Sequence, residues 1–145
     1  NGAVHLSLNT LIDKDTISKI EPLYRARVQK PKTIVAPAIV IMLDTLGKMG
    51  SGLPSKLLLN FLENPSYEVR NAAIYHAGLI LKAKATPEYV DVVRQALHSS
   101  PYQVRLHAIA LLKELEKKAR PLPLDYKEQC QRETSDEVKS FCRTL

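Results

Sequence analysis

The sequence predicts an all-α protein built as a stack of helical hairpins. Three observations carry this. Apolar residues recur at helical spacing along the chain, and no alternating run sits between turn residues as a strand would. The segment from Asn64 to Lys82, NPSYEVRNAAIYHAGLILK, reads as a turn followed by a helix. It returns in degraded form as Pro101-Tyr102-Gln103-Val104-Arg105, as Ser135-Asp136-Glu137-Val138-Lys139, and more weakly from Pro31 through Val35. Laid on one another, Val35, Val69, Val104 and Val138 lie 34, 35 and 34 residues apart, a period that marks stacked units.

The elements follow in order. Residues 1–14 form a leading segment or the end of a preceding unit, with Val4, Leu6, Leu8, Leu11 and Ile12 apolar. Unit one spans 15–50. Asp15 and Thr16 offer side-chain oxygens to the unpaired N–H groups of a first turn, and Ile17, Ile20, Tyr24 and Val28 follow on one side. Pro22 either sits early enough to be tolerated or delays the helix start. Pro31-Lys32-Thr33 breaks the chain. A second helix runs to about Met49, with Pro37 in its first turn or at a kink, and Gly50-Ser51-Gly52 ends it.

Unit two, 51–84, carries Leu57, Leu58, Phe61 and Leu62 on a helix stopped by Asn64-Pro65, then a longer helix from Ser66 to about Ala83. Unit three, 85–120, opens with Thr86 as cap and Pro87 just inside the helix. It carries Tyr89, Val90, Val93 and Leu97, breaks at Ser99-Ser100-Pro101 and resumes from Tyr102 to about Ala119. Unit four, 121–145, is a partial or capping repeat after Pro121 and Pro123.

With each valine as position zero of a second helix, positions four, eight and eleven read Ile39, Leu43, Leu46, then Ala73, Ala77, Ile80, then Ala108, Leu112, Leu115. At helical pitch these fall on one narrow stripe. The first helices align through Tyr24, Leu58, Val93 and Val28, Leu62, Leu97. One such pair cannot bury both its stripe and its flank, so neighbours must complete a shared core. Lys127 and Gln131 take the aligned places in unit four, as a polar cap or a shortened unit would have them.

The turn, the valine–arginine pair and the alanine three residues after the arginine resemble HEAT repeats. The motif is Pro65-Ser66-Tyr67-Glu68-Val69-Arg70 with Ala73, and Pro101-Tyr102-Gln103-Val104-Arg105 with Ala108. The resemblance covers roughly residues 15–145, well in units two and three and partly in one and four. Ala36 and Lys139 stand where the family has arginine. The aspartate often found before the valine is mostly missing, with only Asp136 near its place, which puts the family's arginine–aspartate ladder in doubt. The resemblance implies a right-handed α-α superhelix of about four HEAT-like, armadillo-like hairpins and a scaffold that binds proteins along a curved face. Helical domains of large lipid-transfer proteins, such as vitellogenin-like ones, look similar in period and in segments such as Val138-Lys139-Ser140-Phe141.

Composition narrows the function classes. The chain has 145 residues, 45% hydrophobic and 25% charged, as soluble globular proteins do. The longest apolar run, Ile34 to Leu43, is roughly half of what a bilayer needs, and no signal-peptide pattern opens the chain. These features suggest a cytoplasmic or nuclear setting and a piece of a longer repeat protein. Catalytic and cofactor motifs are not found. His5, His76, His98 and His107 lack metal-ligand spacing, Gly47, Gly50 and Gly52 do not form a phosphate loop, and no Gly-x-Ser-x-Gly elbow occurs. The expectation is a non-enzymatic protein without metal or cofactor. Cys130 and Cys142 fall on the two helices of unit four, where they could approach each other or stay as reduced buried thiols, the second being the expectation in that setting.

Candidate binding residues recur with the repeat. Positions two and six give Pro37 and Ile41, Asn71 and Tyr75, Leu106 and Ala110, uncharged where exposed helix faces carry charge. Ile41, Asn71, Tyr75 and Leu106 would form a partner groove, or contact adjacent units. Arg70 and Arg105 would assist an acidic partner, or pack their stems between units. Lys48, Lys82, Lys84, Lys117, Lys118 and Arg120 would form a basic edge for nucleic acid, in keeping with a net charge of +6, or complement helix C-termini. Aromatics for base stacking are scarce: six Tyr, two Phe, no Trp. The leading expectation is a partner protein, bound as a peptide or helix; nucleic acid comes second.

Overall fold

A computed structural model describes residues 14–29 and 35–145. Among them the chain forms eight α-helices and no strand: α1 (Lys14–Val28), α2 (Ala36–Lys48), α3 (Ser55–Leu62), α4 (Tyr67–Ala83), α5 (Pro87–Leu97), α6 (Tyr102–Lys117), α7 (Tyr126–Arg132) and α8 (Asp136–Arg143). The all-α class is as expected. The apolar pattern at 1–12, the break at Pro31–Thr33 and the side chains of Asp15, Thr16 and Ile17 lie outside the described residues.

The helices pair in chain order, α1 on α2, α3 on α4, α5 on α6 and α7 on α8. The second members also make a row, α2 against α4, α4 against α6 and α6 against α8, while α3 lies on α5. One apolar core runs between the two layers. Ile39, Leu43 and Leu46, Ala73 and Ala77, and Ala108, Leu112 and Leu115 are all buried in it, with Ile80 partly so. Two glycines of the second-helix row lie under leucine side chains of the neighbouring helix. A methyl on Gly47 would come within 2.8 Å of Leu79 Cδ1, and one on Gly78 within 2.9 Å of Leu111 Cδ1. Pro37 lies in the first turn of α2, while Pro22 is inside α1.

The four valines are not equivalent. Val69, Val104 and Val138 are each the third residue of their helix and are buried, whereas Val35 is 71% exposed. α2 starts one residue after Val35, which keeps extended backbone as the N-cap. It therefore lacks the opening turn that carries the other three valines inward. The first helices hold their alignment through Leu58, Val93, Leu62 and Leu97 but slip by one in unit four. There Tyr126 and Cys130 turn inward and Lys127 and Gln131 outward.

Cys130 and Cys142 form a disulfide, not the reduced pair expected. The physical need is plain: α7 is seven residues long and buries only Tyr126, too little apolar surface to dock a two-turn helix alone. Side-chain caps also differ from expectation. Thr86 occupies the N-cap of α5 without capping it, its Oγ1 donating instead to Lys84 O at 3.4 Å. Asp125 and Ser135 do cap, accepting from Glu128 N and Val138 N.

Helix ends use the left-handed conformation twice. Gly50 has φ +74°, and Ser51 N donates to Leu46 O at 2.9 Å across the end of α2. Ala119 does the same for α6 at φ 57°, with Arg120 N donating to Leu115 O at 2.8 Å.

The α2–α3 turn is pinned from three sides. Arg25 Nη1 of α1 donates to Ser51 Oγ and Gly52 O, both at 2.8 Å, and Ser51 Oγ donates to Glu21 Oε1 at 2.9 Å. Leu53 N donates to His76 Nε2 of α4 at 3.1 Å, and Leu53 O accepts from Tyr89 Oη of α5 at 2.5 Å. The space over Gly52 is filled by that Tyr89 hydroxyl, so no larger residue fits there.

Candidate partner-binding groove

On the side of the second-helix row away from the first helices' core stripe lies a groove of about 920 Å³. Helical pitch builds it. α2 contributes Pro37, Val40, Ile41, Asp44 and Lys48, spaced to share one side. α4 forms the middle with Tyr67, Asn71, Ile74, Tyr75, Gly78 and Lys82. α6 closes the far side with His107, Ala110, Leu111 and Glu114. Ala110 has little side chain, and the space beside Gly78 is taken by the Leu111 side chain. Tyr75 and Tyr67 are the groove's large exposed apolar groups, at 49% and 40%.

The two ends differ chemically. At the helix N-terminal end Tyr67 Oη and His107 Nε2 lie 3.3 Å apart, and burial pushes the His107 pKa down, which favours the neutral ring. At the C-terminal end Lys48 pairs with Asp44 at 3.0 Å, and Lys82 and Lys118 share Glu114 at 2.9 and 3.3 Å. The Lys82 hydrogen bond holds the Glu114 carboxyl below its usual range, against a smaller opposing push from desolvation. An apolar middle between neutral hydrogen-bonding groups and compensated charges suits a surface that buries apolar side chains.

Of the residues expected to bind a partner, Ile41, Asn71 and Tyr75 come together in this groove. Leu106 is partly buried against the core, and its neighbour His107 faces the groove instead. Arg70 and Arg105 are engaged elsewhere. Arg70 Nη1 donates to Asn64 O and Pro65 O at 2.9 and 3.1 Å, and Arg105 Nη1 to Ser99 O and Ser100 O at 2.9 and 2.8 Å. Both close the turn before their own helix.

Arg105 also reaches Glu133 of unit four, with Nη2 at 2.6 Å and Nε at 3.1 Å from Oε1. Glu133 is 5% exposed, and its carboxylate also accepts from Thr134 N and Ser135 N, both at 3.1 Å. Desolvation alone would raise its pKa, but Arg105, Ser135 N and Gln129 outweigh it and hold the group at about 2. Sequence spacing places Arg105 after the valine. It gives no sign that its acid comes from the next unit's turn and not from the missing aspartate.

Within the basic edge Lys84, Lys117, Lys118 and Arg120 are exposed, while Lys48, Lys82 and Lys118 carry carboxylate partners and the Arg120 Nη1 donates to Lys82 O. Among the described residues no three His, Cys, Asp or Glu gather as a metal would require, and no helix is long and apolar enough to cross a membrane. Comparison with protein-family models, characterised proteins and solved structures returns no match.

Proposed function

We propose that this chain is a non-catalytic scaffold of HEAT-like character whose second-helix row takes an amphipathic helix of a partner protein. The observation that carries the reading is the groove, with Ile41 and Tyr75 on adjoining helices and compensated charge at its C-terminal end. From Tyr67 to Lys82 the central helix rises about 22 Å, room for about four turns of a bound helix. In this reading the hairpins continue as a right-handed α-α superhelix, and the groove is part of its curved face.

Selection of helical peptides from a displayed library tests it. Peptides that bind the wild-type chain should lose at least about tenfold in affinity on combining Tyr75→Ser with Ile41→Ser, with helicity by circular dichroism unchanged. Equal affinity of the two proteins rejects the groove as the binding face. Nucleic acid is disfavoured, because several cations of the basic edge are neutralised by the chain's own acids.

A second reading is favoured by two observations. The disulfide suits an oxidising compartment better than a cytoplasmic or nuclear one, and the groove has the volume of a small-molecule site. Both fit a helical domain of a large lipid-transfer protein. Binding of a fluorescent fatty acid, lost in the same double variant, would separate this from a helix-binding role.

A further inference from the structure

His76 is fully buried in α4, and both its ring nitrogens are used. Nδ1 donates to Leu43 O of α2 at 2.8 Å, and Nε2 accepts from Leu53 N of the α2–α3 turn at 3.1 Å. That pattern requires the neutral ring with its hydrogen on Nδ1. A second proton would sit on Nε2 and face the Leu53 N–H, donor against donor, on a ring that is shut off from bulk solvent. We propose that His76 is a proton-operated latch: neutral, it holds the α2–α3 turn and the α2 side of the groove against α4, and protonated, it releases them.

The charged and titratable groups around it set the balance. Arg25 of α1 opposes protonation, and Asp44 of α2, paired with Lys48, favours it. Glu21 of α1 acts at one remove through Ser51, and the Tyr89 ring of α5 lies 6.4 Å away by centroid. Burial is the largest influence and, with Arg25, keeps the ring's pKa below its ordinary value against the Leu43 carbonyl and Asp44, which push it up. Releasing the turn exposes the ring, which then takes up the proton that the closed form refuses. The latch stands whether or not the groove binds a partner.

Amide hydrogen exchange at Leu53 in the whole chain reads it directly. Corrected for intrinsic rates, the open population should rise about tenfold between about pH 7.5 and pH 5.5, since an exposed imidazole titrates near 6.5. His107→Gln should keep this response and His76→Gln should lose it. Where His76→Gln does not fold, the ring-carbon shift of His76 in the wild type replaces it, and should move together with Leu53 opening. Leu53 protection that is constant over the interval, a response that survives His76→Gln, or ring titration without opening overturns the proposal.

Discussion

Ala119 sits at φ 57°, where a Cβ crowds the neighbouring carbonyl. Ala119→Gly relieves this, though a glycine also loosens the unfolded chain. The net expectation is a gain of about 0.5–1 kcal/mol, read as a higher urea midpoint at unchanged slope. Glu133 works in the opposite sense. Its folded pKa of about 2 lies below the ordinary 4.5, so its contribution is present above pH 4.5 and is lost as pH falls toward 2. The gap corresponds to about 3 kcal/mol. Glu133→Gln should cost about that much at pH 7 and flatten the stability profile between pH 4.5 and 2, as denaturant titrations at several pH values would show. Neither residue stands out in the sequence. A left-handed alanine looks like any alanine, and the partner of Arg105 is 28 positions away. His76 was legible as a residue within a helix; its bond to Leu53 depends on how the α2–α3 turn folds back, which no local spacing records.

At the scale of elements the sequence was read well where helices are long. Apolar spacing places α4 and α6 within about two residues of their observed ends, because their stripes have enough turns to fix the face. It was read poorly where they are short. α7, with seven residues, carries too few apolar positions to declare its face, so Tyr126 and Cys130 turned inward unannounced. The same shortness makes the disulfide matter. It closes a loop of 12 positions, and reduction should cost about 3 kcal/mol by the chain-entropy argument. Because α7 touches α6 sparingly, the loss should be local. Exchange protection should fall in α7 and α8 and hold in α3 to α5 when a reductant is added.

For the molecule as a whole, the helical class was the legible part; of the four valines 34 and 35 residues apart, Val69, Val104 and Val138 are buried and Val35 is not. The groove was half legible. Periodicity put Ile41, Asn71 and Tyr75 on one side of their helices, but it could not show that Leu106 leans into the core and His107 out of it. That difference decides which substitutions are informative: serine at Tyr75 tests binding, whereas serine at Leu106 also tests folding.

The two turn arginines carry a last consequence. Arg70 and Arg105 grip carbonyls of their own hairpin at the same offsets, so each hairpin brings its fastening with it. Duplicating such a hairpin in the middle of the array would copy a finished part. Duplicating the α7–α8 hairpin would set the second Glu133 against Lys139 in place of Arg105, a single amine where two guanidinium nitrogens now hold the acid. A self-fastened hairpin such as α3–α4 is therefore easier to copy than α7–α8, whose buried acid is held from the hairpin before it.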